Sequence, residues 1–139
     1  MPFKREEATY EAIGCAIAVH RALGPGLLES TYCRCFAHKL RTHGFSVETE
    51  VPVAVEFEGL RVDCGYRIDM IAGGRILFEL KSTRHLLPIH SAQTLTYLKL
   101  SGLPWGFLLN FNVRLLKNGL KSFVNDQGRV SERPLVLSA

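Results

Sequence analysis

The stretch Arg67-Ile68-Asp69-Met70-Ile71-Ala72-Gly73-Gly74-Arg75-Ile76-Leu77-Phe78-Glu79-Leu80-Lys81 decides the fold. Two apolar runs flank a glycine pair, which predicts a hairpin. Side chains alternate across a strand, so Glu79 and Lys81 project together while Phe78 and Leu80 go to the core. On the incoming strand Ile68 and Met70 form the core pair, and Asp69 points the other way. Two carboxylates and an ammonium then meet on one wall of a sheet, an arrangement able to hold a divalent cation and activate a water.

Register is the condition. A two-residue turn of Gly73 and Gly74 alone pairs Asp69 with Phe78 and leaves Asp69 and Glu79 on opposite faces. A three-residue loop or a glycine bulge shifts the pairing by one and brings the acids together. The same shift aligns Ile68 and Met70 with Phe78 and Leu80. An odd-length loop or a bulge is therefore expected.

Working outward, about Glu6 to Leu23 reads as a helix, with Ile13, Ala16, Ile17 and His20 at helical spacing and Gly24-Pro25-Gly26 as its stop. About Leu28 to His43 reads as a second, with Leu28, Tyr32, Phe36 and Leu40 as one stripe and Gly44 as its cap. Val47 to Phe57 and Leu60 to Ile71 read as strands around a Glu58-Gly59 turn, and Arg75 to Ser82 as a third. A helix from Pro88 to about Leu100 follows. Trp105 to Phe111 has the near-continuous apolar character of a strand inside a covered sheet, and Leu120 to Val124 suits a last edge strand. The expectation is one α/β domain, on the α+β border, with a mixed sheet flanked by helices over residues 1–125 and a weakly ordered tail over 126–139.

Bulk properties fit this. The chain has 139 residues, enough for one domain with a real core. It is 47% hydrophobic and 22% charged, as in ordinary soluble proteins. No run reaches membrane-spanning length and the N-terminus is no signal peptide, so the cytoplasm is the expected location and no membrane the expected partner. Cys33, Cys35, His38 and His43 lack the spacing of paired-cysteine zinc motifs, so Cys15, Cys33, Cys35 and Cys64 read as free thiols. Net charge is +4. The basic residues, among them Arg34, Lys39, Arg41, Arg84, Lys99, Arg114, Lys117 and Lys121, are scattered, so a phosphate-binding surface has to be assembled by folding.

The remaining candidates each have a bland alternative. Gln93 and Tyr97, four apart, share a helix face. They could contact substrate, but spacing alone favours their satisfying each other. Glu29 in the first turn of the second helix is either a further acidic ligand or a partner of the helix dipole. His20 is either a metal ligand or a satisfied helical histidine.

Gly26-Leu27-Leu28-Glu29-Ser30-Thr31-Tyr32 resembles the GxxExxY signature of the GxxExxY proteins, a bacterial and archaeal family. The likeness runs from Ile13 to about Asn125, through DCGYRIDM, ELKS, LLPIHSAQTLTYLKLSG and LLNFNV. That family is placed in the PD-(D/E)xK nuclease-like superfamily, which implies a restriction-endonuclease-like fold. By resemblance Glu29 is the helical acid, Asp69 the metal-binding aspartate and Glu79-Leu80-Lys81 the (D/E)xK element. Gln93 and Tyr97 match a QxxxY motif, and His20 corresponds more weakly to an upstream histidine.

The expected activity is phosphodiester hydrolysis of nucleic acid, DNA being favoured. Mg²⁺ or Mn²⁺ would be held by Asp69 and Glu79, with the Leu80 carbonyl and Glu29 or His20 completing the shell. Lys81 would assist the water, and Gln93 and Tyr97 would orient the strand. The alternatives are a non-catalytic module that binds nucleic acid or protein on the same fold, and a subunit acting as a homodimer or with a partner chain.

Overall fold

In a computed structural model, residues 5–135 are described. The chain opens with helices α1 (Arg5–Leu23) and α2 (Glu29–Thr42), followed by strands β1 (Val47–Pro52), β2 (Val55–Phe57), β3 (Leu60–Val62), β4 (Arg67–Ala72) and β5 (Ile76–Lys81). Helix α3 (Pro88–Ser101), strand β6 (Trp105–Asn110), a 3₁₀ turn (Leu116–Gly119) and strands β7 (Leu120–Asp126) and β8 (Arg129–Glu132) complete it. Six strands form one mixed sheet in the order β1-β4-β5-β6-β7-β8, while β2 and β3 pair as a separate hairpin. Only β5 and β6 run parallel, because α3 carries the chain back across the sheet.

The decisive hairpin has the odd loop. Ala72 pairs with Ile76, Ile71 with Leu77 and Met70 with Phe78, which leaves Gly73, Gly74 and Arg75 in the turn. Both glycines have positive φ, 61° and 67°, a region costly for residues with a Cβ. The register that brings Asp69 beside Glu79, just past the last pair Met70–Phe78, thus rests on backbone angles that glycine adopts freely.

Both faces of the sheet are covered. Ala12, Ile13, Ala16 and Val19 of α1 and Tyr32, Phe36 and Leu40 of α2 pack with Met70, Phe78, Leu80, Phe107 and Leu109. Phe36 meets Phe78 edge-on at 4.9 Å between ring centroids, and Phe78 stacks on Phe107 at 5.5 Å. On the other face Tyr97 and Leu98 of α3 cover Ile71, Leu77, Leu108 and Phe123.

Four details differ from the sequence expectations. Ile68 does not join Met70; it packs with Ile71 and Leu77 under α3. Past Met70 the β4–β5 ladder stops, and Glu50 on β1 takes a φ of 52°, so simple alternation does not carry through Asp69. Leu28 is not core but the exposed N-cap of α2, 74% accessible. Both expected strands of the next segment are broken: Val47 to Phe57 divides into β1 and β2, which belong to different sheets, and Leu60 to Ile71 into β3 and β4 around Gly65, whose φ is 77°. Finally, β7 is not an edge: it pairs with β8, so the expected boundary at 125 falls inside a strand and the sheet continues to Glu132. Of the expected tail, residues 136–139 lie outside the described residues.

Phe78 is fully buried between two aromatic rings at the centre of the sheet. Phe78→Ala is expected to lower unfolding stability by about 3–5 kcal/mol. A urea midpoint unchanged from wild type would refute this account of the core.

Candidate active site

At Asp69 the sheet exchanges main-chain bonds for side-chain ones. The Asp69 N–H donates to Glu79 Oε1 at 3.1 Å, and the Leu80 N–H donates to Asp69 Oδ2 at 2.8 Å. Each carboxylate therefore satisfies a backbone donor of the opposite strand. The strands stay in the sheet through their outer partners, β4 through β1 and β5 through β6. Glu79 is only 3% exposed, an unusual place for a carboxylate without a cationic partner in direct contact.

Electrostatics follow from this geometry. Burial, and then the neighbouring Asp69 charge, push the Glu79 carboxyl up to about 8; the Asp69 N–H and Lys81 oppose the rise. Glu29 is also raised, by desolvation first and Asp69 next, with Lys81 pulling it down. Glu29, Asp69, Glu79 and Lys81 thus share one electrostatic neighbourhood. A cavity of about 570 Å³ opens beside it, lined in part by Glu29, Glu50, Asp69 and Leu80.

The Gly26–Tyr32 stretch acquires a physical reading. The Tyr32 hydroxyl donates to the Gly24 carbonyl and accepts the Leu27 N–H at 3.1 Å. Its ring stacks on Phe111 at 4.6 Å. The tyrosine thereby pins the corner that precedes α2, and Glu29 enters the cavity from the first turn. Ser82 Oγ donates to the Leu27 carbonyl at 2.7 Å, which ties the end of β5 to the same corner.

Gln93 and Tyr97 bond each other, Nε2 to hydroxyl at 3.1 Å, as spacing alone favoured. The Tyr97 hydroxyl still senses the site: burial raises it, the Gln93 bond lowers it, and Glu79 and Asp69 raise it further. His20 is committed elsewhere. It is buried, with Nε2 at 2.7 Å from the Val113 carbonyl and 3.1 Å from that of Phe111, so this nitrogen donates. Through Nε2, His20 ties α1 to the segment after β6, which is the satisfied helical histidine of the two expectations for this residue.

Among the described residues no three His, Cys, Asp or Glu side chains stand together as a metal-binding group. The donors present are hard carboxylate oxygens, and the Asp69 repulsion that adds to burial in raising Glu79 is of the kind a divalent cation relieves, so Asp69 and Glu79 fit Mg²⁺ or Mn²⁺ in chemistry.

Three neighbours of the site were not singled out from sequence. Cys33 lines the cavity, its thiol pushed up to about 11 by burial and then by Asp69, Glu29 and Glu50. Its spacing of four from Glu29 on one helix was the available signal. Glu50 joins because β1 lies beside β4, a pairing that no local pattern announces. Asn110 is the third: Oδ1 accepts the Thr83 N–H at 3.1 Å and Nδ2 donates to the Thr83 carbonyl at 3.0 Å, just beyond Lys81.

A family model for the PD-(D/E)XK nuclease superfamily matches residues 6–123, from α1 into β7. Comparison with curated proteins and with solved structures gives no match.

A carboxyl raised on folding binds its proton more tightly in the folded chain, so its contribution to stability is fully present below the ordinary glutamate range. It is then lost as pH rises from the ordinary glutamate range through about 8. Urea unfolding without divalent cation is therefore expected to show a falling midpoint across that window. Glu79→Gln should flatten the profile and be the more stable protein at its alkaline end. Parallel profiles for the two proteins would refute the assignment.

Proposed function

Since the chain belongs to the PD-(D/E)XK nuclease superfamily, we propose that it hydrolyses phosphodiester bonds of nucleic acid, DNA being the favoured form, in a reaction that depends on Mg²⁺ or Mn²⁺. We assign it to the GxxExxY group, on the Gly26, Glu29 and Tyr32 corner described above. The observation that carries the reading is the meeting of Asp69 and Glu79 at the point where β4 and β5 part, with Lys81 two residues on.

Asp69 and Glu79 would hold the cation, with the Leu80 carbonyl and Glu29 as further oxygen donors. A cation so held lowers the pKa of water and offsets charge gathering on the phosphoryl oxygens. Lys81 would orient the attacking water and take part in its deprotonation, at a position where Glu79 and Glu29 already feel its charge. Tyr97 and Gln93 would have to exchange their mutual bond for contacts to the scissile strand. The proposed location is the cytoplasm, consistent with four free cysteines. No described helix is long and apolar enough to cross a membrane.

Two observations favour a second reading, a module that binds nucleic acid without cutting it. Gln93 and Tyr97 satisfy each other, and among the described residues no third His, Cys, Asp or Glu stands with Asp69 and Glu79 as a preformed group. Cleavage assays in Mn²⁺ separate the readings. Asp69→Ala and Lys81→Ala are each expected to lower the rate by about 10²–10³ or more, the scale of losing a group that stabilises transition-state charge. Undiminished cleavage by either variant would overturn the assignment. Salt-sensitive binding with no turnover by wild type would establish the second reading.

A further inference from the structure

The cavity beside Asp69 has a second wall that the hairpin does not supply. Helix α2 presents Ser30, Cys33 and Ala37 to it, three small side chains at helical spacing. Arg34 and Arg41 line the same cavity and are themselves exposed. Seven residues separate them, about two turns or roughly 10 Å along the axis. The helix therefore offers a shallow trough of small side chains with a guanidinium at each of two levels. Arg41 also donates to the Val47 carbonyl at 3.1 Å, which fixes the last turn of α2 against β1.

Charge decides what this trough accepts. Glu29, Glu50 and Asp69 face the same space, so the cavity repels an anion until a divalent cation sits among them. Once it does, the arginines become the dominant unneutralised charges on the wall. Planar guanidiniums suit the paired oxygens of a phosphodiester, and small neighbours let a backbone approach the helix. The separation along the axis admits phosphates from more than one nucleotide.

We propose that α2 guides the substrate: Arg34 and Arg41 hold successive backbone phosphates to one side of the scissile one, over the floor formed by Ser30, Cys33 and Ala37. This rests on reading Asp69 and Glu79 as a nuclease site. It adds that the strand runs along α2 and that the grip requires a divalent cation. The contacts are to phosphate, so they carry affinity and position rather than sequence preference.

The experiment is fluorescence anisotropy of the full chain with a fluorescein-labelled single-stranded DNA oligonucleotide, using Ca²⁺ to occupy the site with cleavage suppressed. Arg34→Ala and Arg41→Ala are each expected to weaken binding about tenfold and to reduce the salt slope by about one. Arg34→Lys should recover part of the loss. Arg129→Ala, on the far edge strand β8, should bind as wild type. EDTA should weaken wild-type binding more than either arginine change does. Arg34→Ala leaves the α2–β1 bond intact, so it decides the matter if Arg41→Ala proves unstable.

Unchanged affinity and salt slope in Arg34→Ala would overturn the proposal, as would binding indifferent to EDTA or an absence of binding by wild type. Cleavage by wild type in Mn²⁺ that is lost in Asp69→Ala would leave the nuclease reading standing in any of those cases.

Discussion

The structure depends on how two neighbouring strands part without leaving a buried polar group unpaired. At Asp69 and Glu79 the hydrogen-bond ladder gives way to side chains, each carboxylate accepting an N–H from the opposite strand. The exchange satisfies backbone donors that would otherwise be orphaned in a covered sheet, where each costs on the order of 1–3 kcal/mol. It leaves one debt unsettled: two acids lie close together, one of them almost wholly out of water. The Glu79 carboxyl is raised by its burial first and by that repulsion next. Hydrogen bonding thus holds the acids in place and electrostatics makes the place favourable to a proton or a cation.

That arrangement needs support on every side. Strands β1 and β6 keep β4 and β5 in the sheet where they cease to bond each other. The aromatic layer of Phe36, Phe78 and Phe107 keeps water from the inner face. On α2, Tyr32 closes the corner before the helix and so determines where Glu29 enters. The Gly-x-x-Glu-x-x-Tyr spacing is intelligible as one mechanical unit: a turn, an acid at a helix start, and a tyrosine one turn later that locks the turn.

The legible parts of the sequence were those in which one local rule had one outcome. Only an odd loop reconciled the apolar pattern with paired acids, and the Gly73–Arg75 loop has that length. The three helices were legible from periodicity and their stops, and WGFLLN from its unbroken apolar run. Other features depended on contacts that periodicity does not encode. Ile68 changes face because the ladder breaks at Asp69 and Glu79, and alternation is least dependable there. His20 satisfies two carbonyls more than ninety residues away, a choice between ligand and anchor that spacing leaves open. Strand β8 has a polar, exposed pattern, so its pairing with β7 has no hydrophobic signature. The basic wall of α2 is invisible until β1 and β4 bring Glu50 and Asp69 beneath it.

Lys81 illustrates why a candidate site residue cannot be understood from its own strand. Its carbonyl accepts the Phe111 N–H at 2.9 Å, and its register partner on β6 is Asn110. The Asn110 amide then reaches past Lys81 to bond both the N–H and the carbonyl of Thr83, continuing the parallel pairing with a side chain where the backbone turns away. Asn112 adds a bond to the same carbonyl at 3.3 Å. Asn110 is almost fully buried, so losing these bonds would strand polar atoms in the interior rather than return them to water. The direction of the Lys81 backbone is therefore set by β6. Lys81 leaves a strand end held by β6, and the chain going on toward α3 starts from a fixed point. A lysine placed two residues after a glutamate shares its wall by alternation alone; this clamp is what lets the sheet hold that wall rigid at its open end.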